Sequence, residues 1–114
     1  MNIEKREIDG KTRTVGTVEI EWEGKNETVE LIALSFGEDL RIRNKCTKVQ
    51  MATGTPNVTI DQEKMTIMNL KKSIIKAPFE ITEDVIFDLD KIVATGILTG
   101  FNELNTPQEK KNLN

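Results

Sequence analysis

Residues 74–112 read IIKAPFEITEDVIFDLDKIVATGILTGFNELNTPQEKKN, and this stretch decides the helical half of the fold. Pro78 disfavours helical geometry in the residue before it, so a helix that arrives from the N-terminal side should stop there. Thr82 is well suited to cap a new helix, because Glu83 and Asp84 then fall in its first turn. The stretch therefore predicts a break followed by a helical segment that begins after Thr82.

Apolar residues recur at three- and four-residue steps from Val85 to Leu104, which is the spacing of an amphipathic helix face. Two interpretations stay open at this point. The segment is one long helix, or it is a short turn to Phe87 followed by a second helix that Asp88 or Asp90 caps. Either interpretation places the longest apolar stripe of the chain in its C-terminal third.

Two features complete this C-terminal segment. Gly96 and Gly100 lie four residues apart on one helix face, which indicates close packing of that face on the N-terminal strands. Asn105-Thr106-Pro107 ends the helical pattern. The polar residues that follow predict a flexible end at 106–114.

The N-terminal third alternates apolar and acidic residues, and this period of two is typical of a half-buried strand. Gly24 and Asn26 mark a tight turn, so we expect an antiparallel hairpin within 15–34, with strands at about 15–23 and 27–34. Residues 1–12 are expected to be flexible. Three alternate side chains should face the helices: Val18, Ile20 and Trp22.

The middle of the chain carries weaker signals. Ser35 with acids behind it predicts a helix from about Phe36 to Met51, although 40–43 also alternates as a strand does. Gly54 and Pro56 predict a loop at 52–57. Asp61 is suited to cap a further helix that runs toward Pro78. The cations between Arg41 and Lys48 form either a basic patch or a solvated helix face.

Together these patterns predict one α+β domain over 1–114, because 114 residues suffice for a single core. An N-terminal antiparallel β-hairpin is expected to pack on about three α-helices within 36–105. A lone hairpin is marginal in water, so it must pack on those helices or pair with another chain.

Residue chemistry favours a binding protein over an enzyme. The chain has no histidine and no tyrosine, and Cys46 is its single cysteine, so neither a common general base nor an ordinary zinc site can be assembled. Acids such as Glu83 and Asp88 sit at helix starts, where they cap. We therefore predict no catalytic site, no cofactor and no metal.

The overall charge and the chain ends bear on location and partners. A mixed surface with a net charge of -3 gives no footprint for nucleic acid, and no apolar run reaches the length of a membrane span. The N-terminus lacks the apolar core of a signal peptide, and a single cysteine suits a reducing compartment. A cytoplasmic protein is expected.

The order of motifs from about 70 to 112 resembles the C-terminal half of the small tail assembly chaperones of long-tailed bacteriophages and prophages. The resemblance rests on the Pro-hydrophobic step Pro78-Phe79, the acidic capped start after Thr82, the apolar stripe that includes Leu89, and the closing Asn102-Glu103-Leu104-Asn105. It implies a protein that binds the long tape measure protein, keeps it soluble in the host cytoplasm and leaves before the tail is finished. In such families a longer frameshifted product often recruits tail tube subunits.

The resemblance also implies that part of the C-terminal apolar surface stays reachable for the partner, or for a second copy in a homo-oligomer. The residues predicted for this role are Phe79, Ile97, Leu98, Phe101 and Leu104. Two alternatives stay open: a structural subunit of a phage particle, such as a head-tail connector or tail-tube-related protein, and a small regulatory or antitoxin-like protein.

Overall fold

A computed structural model describes residues 1–52 and 54–106 of the chain. Its elements confirm the α+β class. In chain order they are β1 (Asn2–Ile8), β2 (Lys11–Trp22), β3 (Lys25–Ile32), α1 (Phe36–Lys45), β4 (Thr47–Ala52), β5 (Thr55–Ile60), α2 (Gln62–Ser73), β6 (Ile74–Lys76), α3 (Glu83–Phe87) and α4 (Lys91–Leu104).

The main sheet has four antiparallel strands in the order β1-β2-β3-β6. Two-residue turns join its first three strands, and both residues of each turn have positive φ (Asp9 and Gly10, then Glu23 and Gly24). This is the turn type whose twist matches a tight hairpin. The predicted hairpin is therefore confirmed as part of a larger sheet.

The expectation of a flexible segment at 1–12 is wrong, because this segment forms β1 and the start of β2. Its charged residues suggested a solvated tail. In the fold they lie on the outermost strand, where charges such as Lys5 and Glu7 discourage pairing with other chains.

The hydrophobic core lies between one face of this sheet and the C-terminal helices. Ile20 is buried, and Val18 and Trp22 pack against the core as partly buried residues, as their alternation predicts. The buried members of the core are Ile20, Val29, Leu31, Leu70, Ile74, Phe79, Ile86, Val93, Ile97, Phe101 and Leu104.

The prediction of a helix from Phe36 to Met51 is wrong at its C-terminal end. Ser35 caps α1 with a complete capping box, but the helix ends at Lys45, and the buried Cys46 anchors its end. Residues 47–52 and 55–60 then pair as the β4–β5 hairpin, so most of the loop expected at 52–57 belongs to the two strands. β-branched residues on both strands favour extended backbone over helix here.

The next helix begins at the predicted cap and ends early. The carboxylate of Asp61 accepts a hydrogen bond from the Lys64 amide, which confirms the cap. α2 stops at Ser73, five residues before Pro78, because the chain joins the sheet as β6. The buried Ser73 hydroxyl donates to the carbonyl of Ile32 over 2.7 Å and fixes this crossing point.

The interpretation with two C-terminal helices is confirmed. Thr82 caps α3, and Asp90 rather than Asp88 caps α4. The side-chain oxygen of Asn105, just after α4, accepts a hydrogen bond from the Leu34 amide at 2.8 Å. This bond ties the helix end to the exit of β3. The end expected to be flexible lies outside the described residues, apart from Thr106.

Glu38 makes the fold sensitive to acid. Burial raises the pKa of its carboxyl, but hydrogen bonds from the Ser35 amide (2.8 Å) and Arg13 (2.7 Å) outweigh burial and hold the pKa below its ordinary value. A carboxyl with a lowered folded pKa stabilises the fold above the ordinary pKa of a glutamate, about 4.3. That stability is lost as the pH falls through the folded pKa.

We therefore expect Glu38→Gln to flatten the dependence of stability on pH below about pH 5, where glutamates of the unfolded chain begin to take up protons. The urea midpoint, measured at several pH values for the parent and the variant, checks this. Glu19→Gln removes an exposed carboxylate that forms no salt bridge within the described residues, and it is the matched control for loss of one negative charge. Equal slopes for parent and Glu38→Gln would contradict the assignment.

Candidate functional site

The fold does not expose the C-terminal residues that the sequence suggested for partner binding. Leu98 is half-buried, and the other four are buried in the core: Phe79, Ile97, Phe101 and Leu104. The expectation that these side chains are exposed is wrong, because the sheet has four strands rather than two and α4 lies along it. Phe79 packs against Trp22 with the two rings tilted by 49° and their centroids 5.4 Å apart, so even the residue beside Pro78 is covered.

A different side chain of α4 faces solvent. Ile92 is 83% exposed, although its neighbour Val93 is buried. The sequence contained a signal for this difference. Steps of three and four residues from Ile92 reach Gly96, Thr99 and Glu103, so this helix stripe is not apolar along its length. Ile92 lies within the apolar recurrence from Val85 to Leu104, but it stands at the border of the buried helix face.

Ile92 forms one wall of a groove between α4 and β2, which we call the β2–α4 groove. Its volume is about 660 Å³, and its apolar surface comes from Ile20, Trp22, Ile92 and Val93. Gly96 leaves space at one end, because a Cβ placed there would meet no atom within 4 Å apart from its chain neighbours and its own helix backbone. The other lining residues are Glu19, Glu21, Glu23, Gly24 and Asp90.

The backbone of β2 is open beside this groove. β1 pairs with β2 only as far as Thr17, so 18–22 have no strand neighbour on that side among the described residues. Trp22 and Lys25 flank a two-residue turn, and such a pair exchanges both of its hydrogen bonds. Hydrogen-bonded and non-hydrogen-bonded pairs alternate along two antiparallel strands. Glu19 and Glu21 belong to non-hydrogen-bonded pairs, so their N–H and C=O groups point away from β3.

The rim of the groove is acidic. Four of its lining residues are acidic (Glu19, Glu21, Glu23 and Asp90), and none is lysine or arginine. Glu19 and Glu21 contribute backbone to the groove, because their side chains project to the opposite face of β2 from Ile20 and Trp22. Acidic side chains around an apolar groove attract ligands of the opposite charge. The groove is therefore suited to apolar side chains accompanied by cations.

The β4–β5 hairpin carries a second apolar surface. The register pairs Val49 with Val58 and Met51 with Pro56, which places all four residues on one face together with Ile60. The exposed fractions of Val49, Met51, Val58 and Ile60 range from 42% to 69%. Large contiguous apolar patches that stay exposed often mark association sites.

The basic stretch 41–48 is divided between two elements and partly neutralised. Arg43 forms an ion pair with Asp39 at 2.9 Å, and Lys48 lies 3.4 Å from Asp61. Arg41 and Lys45 are exposed on α1. This arrangement agrees with a solvated surface.

Two further searches concern the part of the chain that the structure describes. It contains no group of three histidine, cysteine or acidic side chains placed to hold a metal ion. None of its helices has both the length and the apolar character needed to cross a lipid bilayer. Comparison with models of known protein families, with curated proteins and with solved structures found no match.

Proposed function

We propose that this chain is a tail assembly chaperone of a bacteriophage or prophage, which binds the tape measure protein and keeps it soluble during tail assembly. One observation carries the proposal: a small, well-packed domain leaves two apolar surfaces uncovered, the β2–α4 groove and the hairpin face. The order of motifs from 70 to 112 supports the family assignment.

Two separate apolar surfaces on a small domain suit a transient partner. A stable protein interface buries about 800 Å² on each side, whereas exposed patches of a few hundred Å² support weaker contacts. Many copies bound along one long protein can cover it through many weak contacts and still leave when tail subunits compete. A chaperone of this kind needs binding sites and no catalytic group.

A tail assembly chaperone is expected to be encoded just upstream of a very long protein, and co-expression with that protein tests the proposal. The parent should keep that protein in the soluble fraction and co-purify with it. Ile92→Asp should abolish this effect, because it places a charge on the most exposed wall of the groove. Thr95→Asp adds the same charge to an exposed position of the same helix outside the groove and is the control.

Two outcomes would contradict the proposal. The parent fails to hold the long protein in solution, or Ile92→Asp and Thr95→Asp behave alike although thermal melting shows that both are folded. The first outcome would exclude the chaperone function. The second would exclude the β2–α4 groove as the surface that binds the partner.

The alternative is a structural subunit of the particle, such as a head-tail connector or tail-tube-related protein. The free face of the β4–β5 hairpin favours this alternative, because neighbouring subunits in a ring could cover it. Mass spectrometry of purified particles separates the two functions. A chaperone should be absent from finished particles, whereas a connector or tube subunit should be present in ring stoichiometry.

A further inference from the structure

We propose that the β2–α4 groove binds its partner as an added β-strand, an extended segment in which apolar residues alternate with lysine or arginine. The added strand pairs with the open edge of β2 at Glu19 and Glu21. This inference rests on the proposed function, because it assumes that the partner is a protein. It adds the conformation and the charge of the segment that is bound.

The backbone supplies the first argument. Glu19 and Glu21 together offer two N–H donors and two C=O acceptors on the side where β1 has ended. A strand can pair with all four groups, as in other complexes formed by strand addition. A helix, whose backbone groups are already bonded to each other, would leave them without a protein partner.

The side chains specify the sequence pattern of the bound strand. Even-numbered residues of β2, such as Ile20 and Trp22, face the core and α4, and odd-numbered residues face the other side of the sheet. Every second residue of an added strand would therefore lie against Ile92 or in the space over Gly96. The residues between them would lie beside Glu19 and Glu21, where opposite charges stabilise cross-strand pairs.

The same acids disfavour a second copy as the occupant. Pairing of two identical β2 edges would bring Glu19 and Glu21 of both chains together, and like charges opposite each other destabilise a sheet. The other edges of the main sheet are better protected: β1 carries charges along its length, and β6 has only three residues. The open edge of β2 thus selects a cationic strand from another protein.

Peptide binding tests this inference without the tape measure protein. The probe is a fluorescein-labelled ten-residue peptide that alternates lysine and valine, and fluorescence anisotropy measures its affinity for the full chain. Two matched peptides are compared with it: one alternates glutamate and valine, and one has the lysine and valine residues rearranged to helical spacing. We expect the alternating cationic peptide to bind at least tenfold more tightly than either, with affinity that falls as salt rises.

Three variants locate the binding site. Glu21→Pro removes an N–H at the open edge, and Gly96→Leu fills the groove, so each should weaken binding of the probe at least tenfold. Thr28→Pro is the control. Thr28 pairs with Glu19, so its N–H points away from β2. β6 pairs with β3 only at Glu30 and Leu31, so this N–H forms no hydrogen bond within the sheet that proline would remove. Thermal melts followed by circular dichroism establish whether each variant is folded. If Glu21→Pro is unfolded, the binding measured for Gly96→Leu tests the site.

Three results would overturn the inference of strand addition. It fails if the cationic probe does not bind the parent, if the helical-spacing peptide binds as tightly, or if Gly96→Leu binds the probe as the parent does. Co-expression with the long protein is measured separately. A chain that solubilises that protein but ignores the probe would retain the chaperone function and lose strand addition.

Discussion

Replacing Phe101 by alanine is expected to lower the free energy of unfolding by about 3–5 kcal/mol, the usual loss for a buried phenylalanine. Phe101 is 7% exposed and belongs to the core between α4 and the sheet. Such a loss is a large share of the 5–15 kcal/mol typical of a whole domain. Urea denaturation followed by circular dichroism measures it.

Ile92→Ala is the matched control for this prediction, because it also shortens an apolar side chain of α4. Its site is 83% exposed, so the change in stability should stay within about 0.5 kcal/mol. A loss below about 1 kcal/mol for Phe101→Ala would show that the end of α4 is not part of the core. Phe101 would then return as a candidate for partner contact.

This contrast changes how a partner surface can be probed. Polar replacements at Phe79, Leu98 and Phe101 together, chosen on sequence grounds as a surface variant, are expected to unfold the domain. Loss of partner binding by such a variant would then report the lost core. Exposed Ile92 permits the same question to be asked of a folded protein.

Gly100→Ala is expected to destabilise the domain by about 1–3 kcal/mol, the usual effect of overpacking a core. A Cβ at Gly100 would overlap a methyl group of Val18 and lie 3.5 Å from Leu31 Cδ1. The helix and the strand must therefore move apart. Alanine favours helix over glycine by about 1 kcal/mol, and this gain offsets only part of the loss.

Gly96→Ala provides the control on the same helix face, one turn earlier. Its Cβ would meet nothing within 4 Å, so the helix propensity of alanine should raise stability by up to about 1 kcal/mol. Thermal and urea unfolding of both variants give the comparison. A combined Val18→Ala and Gly100→Ala variant should recover part of the loss, because removing the Val18 methyls relieves the overlap. Equal effects at the two glycines would contradict close packing at Gly100.

The two glycines also show where a sequence pattern stops being informative. Their four-residue spacing correctly indicated close approach to the strands, but it did not distinguish Gly100, which touches Val18, from Gly96, which borders the open groove. The distinction depends on how far α4 extends past the end of β1. Neither residue carries that information locally.

Local chemistry determined what the sequence alone could establish. The caps at Ser35, Asp61 and Thr82 were readable because each bonds an amide three residues away. The β2–β3 hairpin was readable for the same reason, since alternation and a two-residue turn act over a few positions. The resemblance to tail assembly chaperones also rests on consecutive residues near the C-terminus, and it stays a prediction.

Only the tertiary structure decided the rest. β1 and β6 are strands because they pair with β2 and β3. The sequence of a short or charged segment does not indicate which strand it will pair with. Phe101 is buried because α4 lies on a sheet wider than a hairpin. The β2–α4 groove exists because β2 extends past the end of β1 and α4 packs beside this part of β2. Such contacts join residues far apart in the chain, so they depend on the packed whole and not on any one segment.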